Sequence, residues 1–108
     1  MVTKLTLETF EPEVVQDLVP VLVDFYADWC APCKMLAPLV EKAAERFGSQ
    51  IKVCKANVDE VFPIAAHFGV QSIPTLILFR NGEIVKRSVG LCSEEELELM
   101  IRSELSDR

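Results

Sequence analysis

Long apolar runs are missing from this 108-residue chain. The stretch from Leu18 to Val23 is cut off by Asp24, far short of the roughly 18 residues a membrane-spanning helix needs. The first ten residues carry Lys4 but no apolar h-region, so they do not read as a signal peptide. A cytoplasmic location is expected, or an organelle stroma or matrix where a transit peptide has been removed. Basic residues are also short: 11 Lys and Arg face 17 Asp and Glu, a net charge of −6. That balance argues against nucleic acid, whose phosphates demand clustered positive charge. Cysteine is sparse, with four in all, too few for a disulfide-dense secreted scaffold. Histidine is sparser still, with His67 alone. No second CxxC or CxxH accompanies Cys30 and Cys33, and Cys54 and Cys92 lack ligand-like spacing, so no metal site is expected. No repeat, low-complexity tract or linker interrupts the chain, and its length suits one domain over residues 1–108.

What is there is periodic. Val21 to Ala27 (VLVDFYA) is short, apolar and rich in β-branched and aromatic residues, as a strand buried on both faces would be. From Cys33 to Phe47 apolar residues recur at helical spacing, with Gly48 placed as a C′ residue. Pro38 lies inside that helix and predicts a kink. Ile51 to Val58 reads as a second strand, and a short helix over Pro63 to Phe68 ends at Gly69. Thr75 to Phe79 and Glu83 to Val89 read as two strands joined by Asn81-Gly82, a strong hairpin signal. Ser93 and Glu96 have capping-box spacing, and Leu97, Met100, Ile101 and Leu105 give the following helix one apolar face. An α/β fold follows, a sheet with parallel and antiparallel pairs covered by helices on both faces.

The chemistry gathers where the first strand hands over to the long helix. A cysteine at a helix N-terminus meets unpaired N–H groups and the positive end of the macrodipole, which favour thiolate over thiol. Cys30 is therefore the expected nucleophile. Cys33, one turn in, is close enough to bridge to it and is expected to be the more buried. Pro32 sits where helices accept proline. Cys30 would attack a disulfide, and Cys33 would resolve the mixed disulfide. Asp24, interrupting an apolar strand, is the candidate base for Cys33, with a pKa raised by desolvation; Lys55 on the next strand is its candidate partner. Taken singly, each has a plainer reading. CxxC is also half of a zinc site, Asp24 a satisfied acid or edge residue, Lys55 a solvated lysine, and Trp29 a packing residue. His67, Cys54 and Cys92 read as structural.

With these residues assembled, the chain resembles the thioredoxin family. Trp29-Cys30-Ala31-Pro32-Cys33-Lys34 is similar to the WCGPCK signature. The likeness continues through Val23-Asp24-Phe25, Pro38, Lys55-Ala56-Asn57-Val58-Asp59, Ile73-Pro74-Thr75, Asn81-Gly82 and Gly90, in order and nearly end to end. The resemblance implies a thioredoxin fold, a central mixed five-stranded sheet flanked by four helices. It implies a protein-disulfide reductase with Cys30 as nucleophile, Cys33 as resolving cysteine and Asp24 assisting deprotonation of Cys33. Ala31, Pro32 and Lys55 would tune the redox poise. It also implies a cis Ile73–Pro74 bond, and a docking patch for substrate formed by Trp29, Ala31, Pro32, Ile73, Pro74 and Gly90. No cofactor is implied beyond the Cys30–Cys33 disulfide. The implied partners are a thioredoxin reductase and protein disulfides, and a monomer is expected. Two residues depart from the pattern: Ala31 stands for glycine, with an expected change of potential, and Tyr26 for a common tryptophan. The alternatives are an oxidase or isomerase, a binding module that uses the patch without its cysteines, a metal site, and a regulatory role for Cys92.

Overall fold

The computed structural model describes residues 1–15 and 17–105; the expected domain also takes in residue 16 and residues 106–108, which lie outside the described residues. Its five strands are β1 (Thr3–Lys4), β2 (Val21–Tyr26), β3 (Lys52–Asn57), β4 (Thr75–Arg80) and β5 (Glu83–Val89). They form one sheet in the order β1-β3-β2-β4-β5. β3 pairs in parallel with β1 and β2, whereas β4 runs antiparallel to β2 and β5. Three α-helices accompany it, α1 (Ala31–Phe47), α2 (Phe62–His67) and α3 (Glu94–Leu105), with a π-helical segment over Glu11–Val15. The mixed sheet and four helices implied by the resemblance are therefore present.

β2 is central because it can afford no solvent on either face: Val21 to Phe25 are all buried. Side chains alternate across a strand, so its odd and even residues feed two different cores. Val21, Val23 and Phe25 join Phe10, Val14, Ile77 and Phe79 on the α2 side. Leu22 joins Leu36, Val40, Leu76, Leu78 and Leu97 on the side of α1 and α3. Asp24 shares the parity of Leu22 and so faces α1.

The N-terminal fifth of the chain, which no periodicity marks in the sequence, closes the α2-side core. Phe10 stacks edge-on with Phe79 and lies 5.7 Å from Phe68, ring centre to ring centre. Lys52 on β3 holds this segment through Glu13 and, at 3.0 Å, through Asp17.

At the helix ends one expectation changes. α1 begins at Ala31, two residues ahead of the apolar periodicity, because Ala31 and Pro32 contribute backbone and not core. It runs on through Pro38 to Phe47. Gly48 does not take the left-handed conformation expected of a C′ residue; its φ is −63°. Glycine is required there for another reason: a Cβ would meet the Ala44 carbonyl oxygen at 2.4 Å. The hairpin turn is as the sequence reads, with positive φ at both Asn81 and Gly82. The capping box closes as well: Ser93 N–H donates to Glu96 Oε1 at 2.8 Å and Glu96 N–H to Ser93 Oγ at 3.1 Å.

Candidate active site

Cys30 is the N-cap of α1, with extended backbone angles. Its sulfur accepts the Cys33 N–H at 3.2 Å, so one of the free donors of the first turn points at the atom on which thiolate charge would form. The two cysteines are joined as a disulfide with Cα atoms 5.2 Å apart, inside the range a bridge requires. Cys33 is 3 % exposed and Cys30 5 %, so helix start and loop enclose both sulfurs almost equally. Pro32 lies in the first turn, and it and Ala31 are exposed.

Behind the disulfide lies Asp24, 4 % exposed. Its Oδ1 is buried without a hydrogen-bond partner among the described residues. Desolvation pushes its pKa up from 3.8 to about 7, against a smaller opposing pull from the Lys55 charge. A cleft of about 170 Å³ touches Asp24, Lys55, Tyr26 and Cys33, leaving room for solvent between acid and inner cysteine. Lys55 pairs with Asp24 in the β2–β3 register, yet no ion pair joins them among the described residues. The expected partnership is thus electrostatic only: the Lys55 ammonium sits over the Tyr26 ring, 5.8 Å from its centre, where part of the charge stays in water.

The rim in front of the sulfurs comes from three separate segments. The Ile73–Pro74 bond is cis, and the Ile73 carbonyl oxygen lies 3.9 Å from Cys30 Sγ. Pro74 itself is buried, and its carbonyl takes the Gly90 N–H at 2.8 Å. Gly90 has a φ of +91° and nothing within 4 Å of where a Cβ would be, so it leaves the rim bare. Trp29 is 70 % exposed, and its indole N–H donates to Asp59 Oδ2 at 2.9 Å. Asp59 is in turn set by its own N–H, which donates to Asn57 Oδ1 at 2.9 Å. The sequence placed Asp59 in a family-like run but gave it no role, since nothing local joins residues 29 and 59.

The remaining cysteines are poor nucleophiles. Burial pushes the Cys54 thiol up to about 12, and burial followed by the Glu96 charge raises that of Cys92. Among the described residues no group of His, Cys, Asp and Glu is arranged to hold a metal, and no helix is long and apolar enough to cross a membrane.

A cysteine pair that closes at the mouth of a helix, above a mixed sheet, makes this chain a thiol–disulfide oxidoreductase. Comparison with known proteins narrows the class. The family profile described as Thioredoxin matches residues 1–103. A thioredoxin of Rickettsia bellii is 44 % identical over 97 residues, covering 90 % of this chain and 92 % of its own. One from Porphyra purpurea is 43 % identical over 105 residues, with 97 % and 98 % covered. Thioredoxin 1 of Synechococcus elongatus is 48 % identical over 82 residues, with 76 % and 77 % covered. The chain belongs to the thioredoxin family, and its chemistry is protein-disulfide oxidoreduction through its own disulfide.

Proposed function

We propose that the chain is a general protein-disulfide reductase, recharged by a thioredoxin reductase and working as a cytoplasmic monomer. The observation that carries this reading is the Cys33 N–H aimed at Cys30 Sγ, which favours thiolate at Cys30. In the reduced protein the Cys30 thiolate attacks one sulfur of a substrate disulfide. That bond breaks, one substrate thiolate leaves and takes a proton from solvent, and a mixed disulfide forms. Asp24, across the small cleft, accepts the Cys33 proton. The new thiolate then attacks Cys30 Sγ, closing the Cys30–Cys33 bridge and releasing the second substrate thiolate. Two electrons pass to the substrate, and the reductase returns two electrons and two protons. A carboxylate with a pKa of about 7 suits this role, because it both takes and gives up a proton near neutrality. Trp29, Ile73 and the bare Gly90 rim support docking of an extended substrate segment, whose backbone can bond to the Ile73 peptide in the manner of strand addition. Ala31, Pro32 and Lys55 are the residues proposed to set the potential.

The test is reduction of insulin coupled in turn to an NADPH-linked and a ferredoxin-linked reductase. Cys30→Ser is expected to abolish turnover. Cys33→Ser is expected to accumulate mixed disulfides, since attack survives and resolution does not. Undiminished insulin reduction by Cys30→Ser would overturn the assignment.

A further inference from the structure

Beside the redox rim runs a second feature. A groove of about 490 Å³ extends from Trp29 and Ile73 along α2, over Ala66, Gly69 and Val70, to Phe62. Phe62 opens α2 and is 68 % exposed, nearly as much as Trp29. Two large aromatic side chains left in water beside one cleft mark a binding surface and not a core. The lining includes the small residues Ala65, Ala66, Gly69 and Ser72, and a Cβ on Gly69 would meet nothing within 4 Å, so the groove is open there. Its lining carries one charged group, Asp59, whose Oδ2 takes the Trp29 indole N–H. The groove thus offers largely apolar surface, with a single carboxylate at the Trp29 end. It is also continuous with the site of exchange, because Ile73 lines it and has its carbonyl 3.9 Å from Cys30 Sγ.

We infer that Phe62 is a specificity-determining residue: with Trp29 it forms a slot that receives a large apolar side chain flanking the attacked cysteine in an extended target segment. The inference rests on the reductase reading and deepens it. Discrimination by one apolar side chain in such a pocket is worth about tenfold or more in kcat/KM, and a slot filled on docking places that gain in KM.

The experiment uses two synthetic disulfide-linked peptides that differ only beside the cysteine, Phe in one and Ser in the other, offered to the full chain. The native protein is expected to favour the Phe peptide about tenfold through KM. Phe62→Ser is expected to bring that ratio down to about twofold or less, and Phe62→Leu to restore most of it, since leucine returns apolar bulk. Equal rates for the two peptides with the native protein, or a preference that survives Phe62→Ser, overturn the inference and leave the reductase reading intact. Reduction of neither peptide overturns the reductase reading itself. Sedimentation of the same variants tests the other occupant: a native dimer split by Phe62→Ser assigns the slot to a second copy and overturns the target-segment assignment.

Discussion

Replacing Asp24 by Asn is expected to stabilise the oxidised protein, and by an amount that depends on pH. The folded carboxyl keeps its proton to about pH 7, while the unfolded one loses it near 3.8. Between those values the folded chain binds more protons, so stability falls as pH rises; above about 7 the loss is complete. At about 1.4 kcal/mol per pH unit the full penalty is about 4 kcal/mol. Solvent in the adjoining cleft relaxes the charged form, which makes about 4 kcal/mol a ceiling. Asparagine holds the side chain neutral at every pH and keeps its shape. The measurement is urea unfolding of the bridged form at pH 5.5 and 8.5, native against Asp24→Asn. All other titrating groups are shared, so they cancel in the difference. The gap in favour of Asn is expected to be wider at pH 8.5 by up to about 2 kcal/mol. An equal gap at both pH values, or a variant less stable than the native protein at pH 8.5, would refute the reasoning.

Two further substitutions probe positions outside the sheet. Ser93→Ala removes the Oγ arm of the capping box on α3 and leaves the backbone N–H arm in place; it should cost about 1 kcal/mol, a Tm drop of roughly 5 °C by calorimetry, and an unchanged Tm would show that arm to be inert. Asp59→Ala frees the indole N–H of Trp29. Because Trp29 is the one tryptophan in the chain, time-resolved fluorescence anisotropy should then report faster local ring motion, and an unaltered decay would mean the ring is held by other contacts.

How much of this was legible in the sequence depends on where each signal resides. β2 and β4 announced themselves because strands buried on both faces need continuous apolar residues, and the hairpin did so because two adjacent positive-φ positions select Asn-Gly. The cysteine pair was legible because its spacing is itself the geometry. β1, only two residues long, and the π-helical segment were not readable from any period: Leu5, Phe10 and Val14 are buried but fit neither a spacing of 2 nor a sustained one of 3.6. They entered through the resemblance alone. Asp59 under Trp29 needed two segments 30 residues apart to be brought together. Lys55 stands beside Asp24 in the register, and its charge pulls on that carboxyl from a position over the Tyr26 ring and not through an ion pair, a detail that strand pairing alone does not give.

The site is best understood as a consequence of sheet register. β2 and β3 run parallel, β4 runs against β2, and β5 runs against β4. The C-terminal ends of β2, β3 and β5 therefore share one rim with the start of β4. That rim is where Cys30, Asp59, Gly90 and Ile73 are found, each just past or just before its strand. Asp24 lies on the same strand that leads to Cys30, on the face toward α1, and this is what lets one cleft touch both Asp24 and Cys33. A slip of β2 by one residue would turn Asp24 into the cluster around Phe10 and Phe79, where no cleft leads to the inner cysteine. Val21, Val23 and Phe25 on one face and Leu22 on the other oppose that slip, since each would leave its own core. The apolar residues of β2 thus do two things at once. They stabilise the sheet against the cost of a buried acid, and they fix the face on which that acid stands.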